Sequence, residues 1–98
     1  MLLAFSATPI GSGSASVSSE VADAIRVVRA SGLPHRTDPM FTTIEGEWDV
    51  VMAVVKQAVQ AVAERSERVS VQIKIDYRPG VTNALESKLA SLERRIEE

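Results

Sequence analysis

Residues 34–46 have the sequence PHRTDPMFTTIEG, an extended stretch that separates two helical patterns. The pair Asp38-Pro39 near its middle is typical of a tight turn, because both residue types favour turn backbone. We therefore predict a short β-hairpin with arms near 34–37 and 41–45, ended by Gly46. This hairpin gives the chain two consecutive strands between its two main helices.

One helical pattern precedes the hairpin and another follows it. The first begins at a serine cap, Ser16 or Ser18, and stops at Ser31-Gly32, where glycine can adopt the left-handed conformation. Its spacing predicts a buried face formed by Val17, Val21, Ile25 and Val28. The outward face is formed by Glu20, Asp23 and Arg26. The second runs from about Glu47 to Ser66 and is apolar over a wide surface, which indicates a second buried contact.

Strands are predicted at both ends of this arrangement. The first covers residues 2–8 and is ended by Pro9, and the last covers residues 69–76, where apolar and polar residues alternate. A last helix over residues 82–97 carries an apolar stripe, here called the C-terminal stripe, formed by Leu85, Leu89, Leu92 and Ile96. The order β-α-β-β-α-β predicts one α+β domain over residues 1–98, a ferredoxin-like sandwich with an extra C-terminal helix. We expect a four-stranded antiparallel sheet with both main helices on one face and the other face open.

Composition excludes several classes of function. The chain has no cysteine, which excludes disulfides and thiolate metal sites. The net charge of −2 is opposite in sign to the basic surface that binds nucleic acid. Residues 71–75 also lack the aromatic side chains of an RNA-binding strand. No apolar run reaches the roughly 18–20 residues of a membrane span, and residues 1–5 lack the basic start of a secretory signal. We expect a cytoplasmic protein that binds neither nucleic acid nor membrane.

Few residues are candidates for chemistry, and each also has a structural interpretation. Residues 9–16 form either a serine-capped turn or an anion-binding loop. Glu45 ends a strand beside a tryptophan, either as an exposed acid or as an acceptor for the N–H groups of a heterocycle. Arg78 either pairs with Asp76 or contacts an anion. His35 has no metal-binding partners in sequence, and no nucleophile, base and orienting group can be assembled, so we predict neither a metal site nor an enzyme.

Residues 40–48, MFTTIEGEW, resemble the central motif of the small thiamine-binding protein family. Further similarity lies at Pro9, Gly11, Ser16-Val17-Ser18, Ser31-Gly32 and residues 73–78, in the same order along the whole chain. The resemblance implies a ferredoxin-like fold whose sheets pair face to face into dimers, often dimers of dimers. It also implies binding of thiamine or its hydroxymethylpyrimidine moiety, with no cofactor.

Carried over by position, Thr42, Glu45 and Gly46 match the central motif, and Ser16 and Ser18 match the serines that open the first helix. With Arg78 assisting, the predicted ligand-binding residues are Ser16, Ser18, Thr42, Glu45 and Arg78. The family usually has glycine where this chain has Phe41, whose ring could narrow the pocket or stack on the ligand.

Two functions follow as hypotheses. The first is non-enzymatic binding of thiamine or its pyrimidine moiety at a contact between subunits of a homodimer or homotetramer, as a carrier, buffer or sensor. The second is a homo-oligomeric structural or regulatory interaction module of the ferredoxin-like type. In that case the wide apolar surface of the second helix and the C-terminal stripe would contact a protein partner.

Overall fold

The structure, a computed structural model, describes residues 1–11, 18–80 and 82–98, and of Ser18 only the backbone. Its elements are β1 (Leu2–Ile10), α1 (Ser18–Ala30), β2 (His35–Thr37), β3 (Thr42–Glu45), α2 (Trp48–Ala63), β4 (Arg68–Asp76) and α3 (Ala84–Glu97). The four strands form one antiparallel sheet in the order β2-β3-β1-β4. The predicted α+β, ferredoxin-like arrangement with an extra C-terminal helix is confirmed.

The sheet has two chemically different faces, because side chains alternate along each strand. Leu3 pairs with Ile44 of β3 on one side and with Ile75 of β4 on the other, and these residues point towards α1 and α2. Their neighbours point the opposite way, and Leu2 pairs with both Glu45 and Asp76. We call these two surfaces the helix-side face and the open face.

The hydrophobic core lies between the helix-side face and the two main helices. Its fully buried large side chains are Leu3, Val28, Ile44, Val51 and Val62. Five residues of α2 are buried, namely Val51, Val54, Val55, Ala58 and Val62. Burial of this apolar area supplies most of the free energy of folding.

The face of α1 that packs inward differs from the predicted one. Val28 is buried as predicted, but Val21 is exposed, and Glu20 and Ala24 are buried instead. The prediction that Glu20 points outward is therefore wrong, and Val17 lies outside the described residues. The predicted stripe and the observed one have the same spacing of about four residues, so packing decided between them. The small Ala24 allows α1 to lie close to the sheet and α2.

β1 continues two residues beyond the predicted end and includes Pro9, which pairs with Val69. Proline has no N–H group and is tolerated where a strand has a free edge. Within the described residues, β1 beyond Phe5 pairs only with β4, so a missing donor there is tolerated. Gly32 has the left-handed φ of 73° predicted for the residue after α1.

α3 lies on the open face and is attached mainly through its first turn. No residue of α3 is buried, and within the C-terminal stripe the exposure rises from half-buried Leu85 to Ile96, which is 73% exposed. In the described ranges, none of the helices combines the length and the apolarity needed to cross a membrane.

Candidate functional site

β3 places two of the predicted binding residues on opposite faces of the sheet. Thr42 pairs with Phe5 on the helix-side face, whereas Glu45 pairs with Leu2 on the open face. Both side chains are buried. The end of β3 is held by two backbone bonds, from the Glu45 N–H to the Pro34 carbonyl at 2.9 Å and from the Gly46 N–H to the Met1 carbonyl at 3.1 Å.

The Glu45 carboxylate caps the N-terminus of α3. Its Oε2 accepts a hydrogen bond from the Ala84 N–H at 2.5 Å, and its Oε1 accepts one from the Leu85 N–H at 3.3 Å. The residue before the helix, Asn83, has a left-handed φ of 59° and makes no side-chain cap bond. A carboxylate at this position satisfies free N–H groups and favours the positive end of the helix dipole. Glu45 therefore connects the sheet to α3.

Asp76 and Arg78 lie next to this cap, on the other side of Leu2. Asp76 accepts a hydrogen bond from Lys88 Nζ of α3 at 2.6 Å. This bond and the Lys88 charge, together with a smaller contribution from Arg78, hold the pKa of Asp76 below its ordinary value of 3.8. Arg78 lines a cavity of about 170 Å³ with Met1, Leu2, Asp76 and Lys88. The predicted residues Glu45 and Arg78 thus both flank the first half of α3.

A second cavity, of about 400 Å³, lies on the opposite side of α3. Arg36, Thr43 and Leu89 are among its lining residues. Arg36 also approaches Glu86 of α3, at 3.6 Å between Nη2 and Oε1. The open face beneath α3 thus has two small cavities, each lined by both charged and apolar side chains.

Thr42 lies in a different place, in a cleft between the second half of β1, the first half of α1 and the β2–β3 turn. This cleft has a volume of about 240 Å³. Its lining residues include four that carry hydroxyl groups, Ser6, Thr8, Thr37 and Thr42, and two that carry rings, Phe5 and Phe41. The Thr42 and Thr37 hydroxyl oxygens lie 3.2 Å apart and share a hydrogen bond. Among the described residues that line the cleft, the charged one is Asp38, at its margin.

The cleft continues towards the open face past the start of β3. A neighbouring cavity of about 310 Å³ shares Ser6, Thr8, Pro39, Met40 and Phe41 with it and extends to Ser70 and Gln72. This passage exists because β3 begins at Thr42, which leaves the second half of β1 without a β3 partner. We call these two adjoining cavities the Phe41 groove. Hydroxyl groups beside an aromatic ring suit a planar, polar heterocycle.

The structure thus divides the predicted site residues into two groups. Glu45 and Arg78 lie by α3 on the open face, and Thr42 lies in the Phe41 groove. Ser16 lies outside the described residues, and Ser18 is the first residue of α1, with its side chain also outside them. The first half of α1 lines the groove through Val21, Ala24 and Ile25.

Sequence reasoning missed several residues of these two regions. Ser6 and Thr8 line the Phe41 groove, and their polar character within an otherwise apolar strand was an available signal. Lys88 had no such signal, because its approach to Asp76 depends on where α3 lies. Glu20 is buried, and no partner for its Oε2 occurs among the described residues. Within those residues, no cluster of histidine, aspartate and glutamate could hold a metal ion.

Comparisons with known sequences and structures agree on one family. A family model described as thiamine-binding protein matches residues 3–93. A UPF0045 protein of Mycobacterium bovis is 59% identical over 97 residues, which cover 98% of this chain and 94% of the relative. The crystal structure of a hypothetical protein from Methanocaldococcus jannaschii is 34% identical, covers 94% of both chains and has a TM-score of 0.85. A DUF77 domain from Bacillus cereus is 41% identical, covers 87% and 84%, and has a TM-score of 0.77.

Proposed function

Because this chain belongs to the thiamine-binding protein family, we propose that it binds thiamine or its hydroxymethylpyrimidine moiety and catalyses no reaction on it. It would serve as a carrier, buffer or sensor of the vitamin. The observation that carries this proposal is the match of the family model to residues 3–93, almost the whole chain. The only histidine, His35, bonds through Nδ1 to the Leu33 carbonyl at 2.9 Å, an arrangement suited to structure rather than to proton transfer.

The ligand would lie at a contact between two copies of the chain. Within one copy, the sheet separates Thr42 from Glu45 and Arg78, so a small ligand bound to a single copy reaches only one group. A second copy laid against the open face would bring its own residues towards the ligand. The Phe41 groove supports this geometry because it opens onto the open face at Ser70 and Gln72.

The chemistry of thiamine suits both groups. Its aminopyrimidine offers N–H donors, and its thiazolium is cationic. A carboxylate can accept about four hydrogen bonds, and Glu45 uses two of these positions for α3. It can therefore accept further bonds from a ligand without releasing the helix. The groove would supply hydroxyl groups and the Phe41 ring, and Arg78 would hydrogen-bond an acceptor of the ligand.

Calorimetric titration with thiamine and with hydroxymethylpyrimidine tests the proposal. Wild-type protein should bind at least one of them saturably, and Glu45→Gln should weaken binding by roughly 1–3 kcal/mol, the range for losing a buried charged hydrogen bond. Glutamine keeps an oxygen acceptor for α3, so the helix should remain in place. Glu86→Gln, which removes an exposed acid one residue beyond Leu85, is the matched control and should bind as wild type does.

Phe41→Ala separates the two groups of residues. Strong loss of affinity in this variant, with Glu45→Gln unaffected, would place the ligand in the groove of one chain and refute the shared site. Wild-type protein that binds neither compound at millimolar concentration would refute thiamine binding altogether.

The alternative, an interaction module, is favoured by one observation, the exposure of the C-terminal stripe beyond Leu85. An exposed apolar stripe on a helix is a common contact surface for another protein. The same titrations distinguish the two functions. An interaction module would form a defined homo-oligomer and show no heat of binding with either thiamine or its pyrimidine.

A further inference from the structure

Arg78, just beyond the end of β4, is predicted from the sequence either to pair with Asp76 or to contact an anion. The structure gives Asp76 a different partner, Lys88 of α3, whose Nζ lies 2.6 Å from the Asp76 Oδ2. Among the described residues, the Arg78 guanidinium takes part in no ion pair. Arg78 is exposed and lines the cavity of about 170 Å³ beside α3. Its planar fork of N–H donors is therefore free to bind an oxyanion.

One face of α3 presents small and polar side chains to the same cavity. Ala84, Ser87, Lys88 and Ser91 line it, with the spacing of three and four residues that places side chains on one helix face. Ser91 Oγ accepts a hydrogen bond from Arg94 Nη2 at 3.2 Å, so the Ser91 hydroxyl proton remains free to donate. The cavity thus offers hydroxyl donors beside its cationic side chains.

The charge around this cavity is positive, although the whole chain carries a net charge of −2. Asp76 is the one carboxylate among the described residues that line the cavity, and Lys88 neutralises it. The hydrogen bond from Lys88, the Lys88 charge and the charge of Arg78 all lower the pKa of Asp76, so both cations act at this point. An anion that enters the cavity meets more positive than negative charge.

The cavity adjoins the carboxylate that is proposed above to bind the ring of the ligand. Ala84 lines the cavity and donates its N–H to Glu45. Leu2 pairs with Glu45 on one side and with Asp76 on the other, so Glu45 and Asp76 are two interstrand spacings apart, roughly 10 Å. Thiamine joins two rings through one carbon and ends in a short alcohol. A molecule whose aminopyrimidine bonds to Glu45 can therefore extend its alcohol end towards the cavity.

We propose that this cavity binds the phosphate of a phosphate monoester, so that the chain prefers thiamine monophosphate to thiamine. Arg78 and Lys88 bind the phosphate oxygens, and Ser87 and Ser91 donate hydroxyl hydrogen bonds to them. Lys88 has three donors, so it bonds to Asp76 and to the phosphate together. The volume of about 170 Å³ is far above the roughly 10–15 Å³ that one water molecule needs, which leaves room for the phosphate.

This preference rests on the function proposed above and adds the chemical form of the ligand. A phosphate monoester carries a charge of about −1.5 to −2 at pH 7 and three strong acceptor oxygens. Hydrogen bonds between ionised partners are roughly twice as strong as neutral ones. The alcohol of thiamine itself carries no charge, so the two cations favour the phosphorylated form.

Calorimetric titrations of the wild-type chain with thiamine, thiamine monophosphate and inorganic phosphate test this assignment. The dissociation constant of the monophosphate should be about tenfold lower than that of thiamine, because charge-assisted bonds are added in a partly exposed cavity. Inorganic phosphate, which lacks the ring, should bind more weakly than the monophosphate and should weaken the binding of the monophosphate more than that of thiamine.

Two variants assign the preference to the cavity. Arg78→Gln removes the uncommitted cation, and Ser87→Asp places a negative charge against the phosphate. Both residues are exposed, so the fold should remain intact. Each variant should bring the ratio of the two dissociation constants close to one. Arg68→Gln is the matched control, because it removes the same charge from the other end of β4, roughly 26 Å from Asp76, and should keep the wild-type ratio.

Equal affinity for thiamine and its monophosphate would overturn the phosphate site and leave thiamine binding in place. A preference that persists in both cavity variants, or that is lost equally in Arg68→Gln, would also overturn it. Inorganic phosphate that binds as tightly as the monophosphate would show a site for free anions instead. Failure of the proposed function gives a different result, since the chain would then ignore thiamine, its pyrimidine and the monophosphate alike. Binding of the monophosphate alone would support the site and show that the phosphate is required.

Discussion

α2 and α3 are both amphipathic helices of similar length, 16 and 14 residues, yet their environments differ completely. α2 buries five residues against the helix-side face, where it meets Leu3 and Ile44. α3 buries none and meets the open face, where Glu45 and Asp76 bind it through hydrogen bonds. The difference lies in the surface that receives each helix, because α2 meets apolar side chains on the helix-side face, whereas α3 meets the carboxylates of Glu45 and Asp76 on the open face.

This contrast shows that an apolar stripe predicts a helix but does not identify what covers it. α2 is held by burial of apolar area, which acts in a monomer. α3 is held by a carboxylate cap and two exposed ion pairs, Asp76–Lys88 and Arg36–Glu86, and its stripe remains available for another surface. Three experiments on stability sharpen or break this comparison.

The largest effect should come from truncation of the core side of α2. Val51→Ala removes two fully buried methyl groups and should lower the free energy of unfolding by about 2–3 kcal/mol, from lost transfer energy and the remaining cavity. Leu92→Ala on α3 removes three carbon atoms from an exposed side chain and should change it by less than about 0.5 kcal/mol. Urea unfolding followed by circular dichroism measures both.

A cost for Leu92→Ala comparable with that of Val51→Ala would break the comparison. It would show that the C-terminal stripe is buried in solution, against the sheet or against another copy. Repeating the measurement at several protein concentrations distinguishes these cases, since only burial between copies depends on concentration.

Removal of the α3 cap should have an intermediate effect. Glu45→Ala leaves the Ala84 and Leu85 N–H groups without their acceptor and should cost about 0.5–2 kcal/mol, the usual range for a lost helix cap. A helix of 14 residues is marginal on its own, so the amides of Ala84–Glu97 should exchange faster with solvent. Hydrogen exchange with mass spectrometry measures this, with Glu93→Ala, which changes an exposed acid later in the same helix, as the control.

Unchanged exchange over α3 in Glu45→Ala would mean that the cap does not hold the helix. In that case the carboxylate would be free for a ligand at no cost to the fold, which would strengthen its predicted binding role.

The smallest effect concerns the pair formed by Asp76 and Lys88. Because Lys88 holds the pKa of Asp76 below 3.8 in the folded protein, this pair stabilises the fold fully above that pH and loses its effect as the pH falls through the lowered pKa. Lys88→Gln should move the pKa of Asp76 upwards, as measured by carboxyl chemical shifts in NMR titration. An unchanged titration would show that α3 does not rest against β4 in solution.

Much of the fold followed from local patterns. The Asp38-Pro39 turn, the alternation in β4 and Gly32 after α1 each predicted their element, because hydrophobic period and turn chemistry act over a few residues. The rotation of α1 did not follow, because two stripes with the same spacing were available and only packing placed Glu20 inside. Extension of β1 through Pro9 depended on a partner strand ending early, which the sequence of β1 does not show.

The sheet face on which a strand residue lies was predictable from the sequence, but the contacts that bring distant elements together were not. Side chains three residues apart on a strand point to opposite faces, and the structure has Thr42 and Glu45 on opposite faces. What Glu45 contacts depended on α3, which is joined to β4 by a turn and lies 39 residues further along the chain at Ala84. Long-range contacts of this kind depend on how whole elements pack, so no local sequence pattern predicts them.

The sequence by itself determined the elements, their order and the polarity of each sheet face, since these depend on the period of side chains along one segment. Only the tertiary structure decided that Glu45 caps α3 and that the Phe41 groove opens beside a short β3. Each of these depends on where segments distant in sequence come to lie, and that position is set by the combined packing of the whole chain.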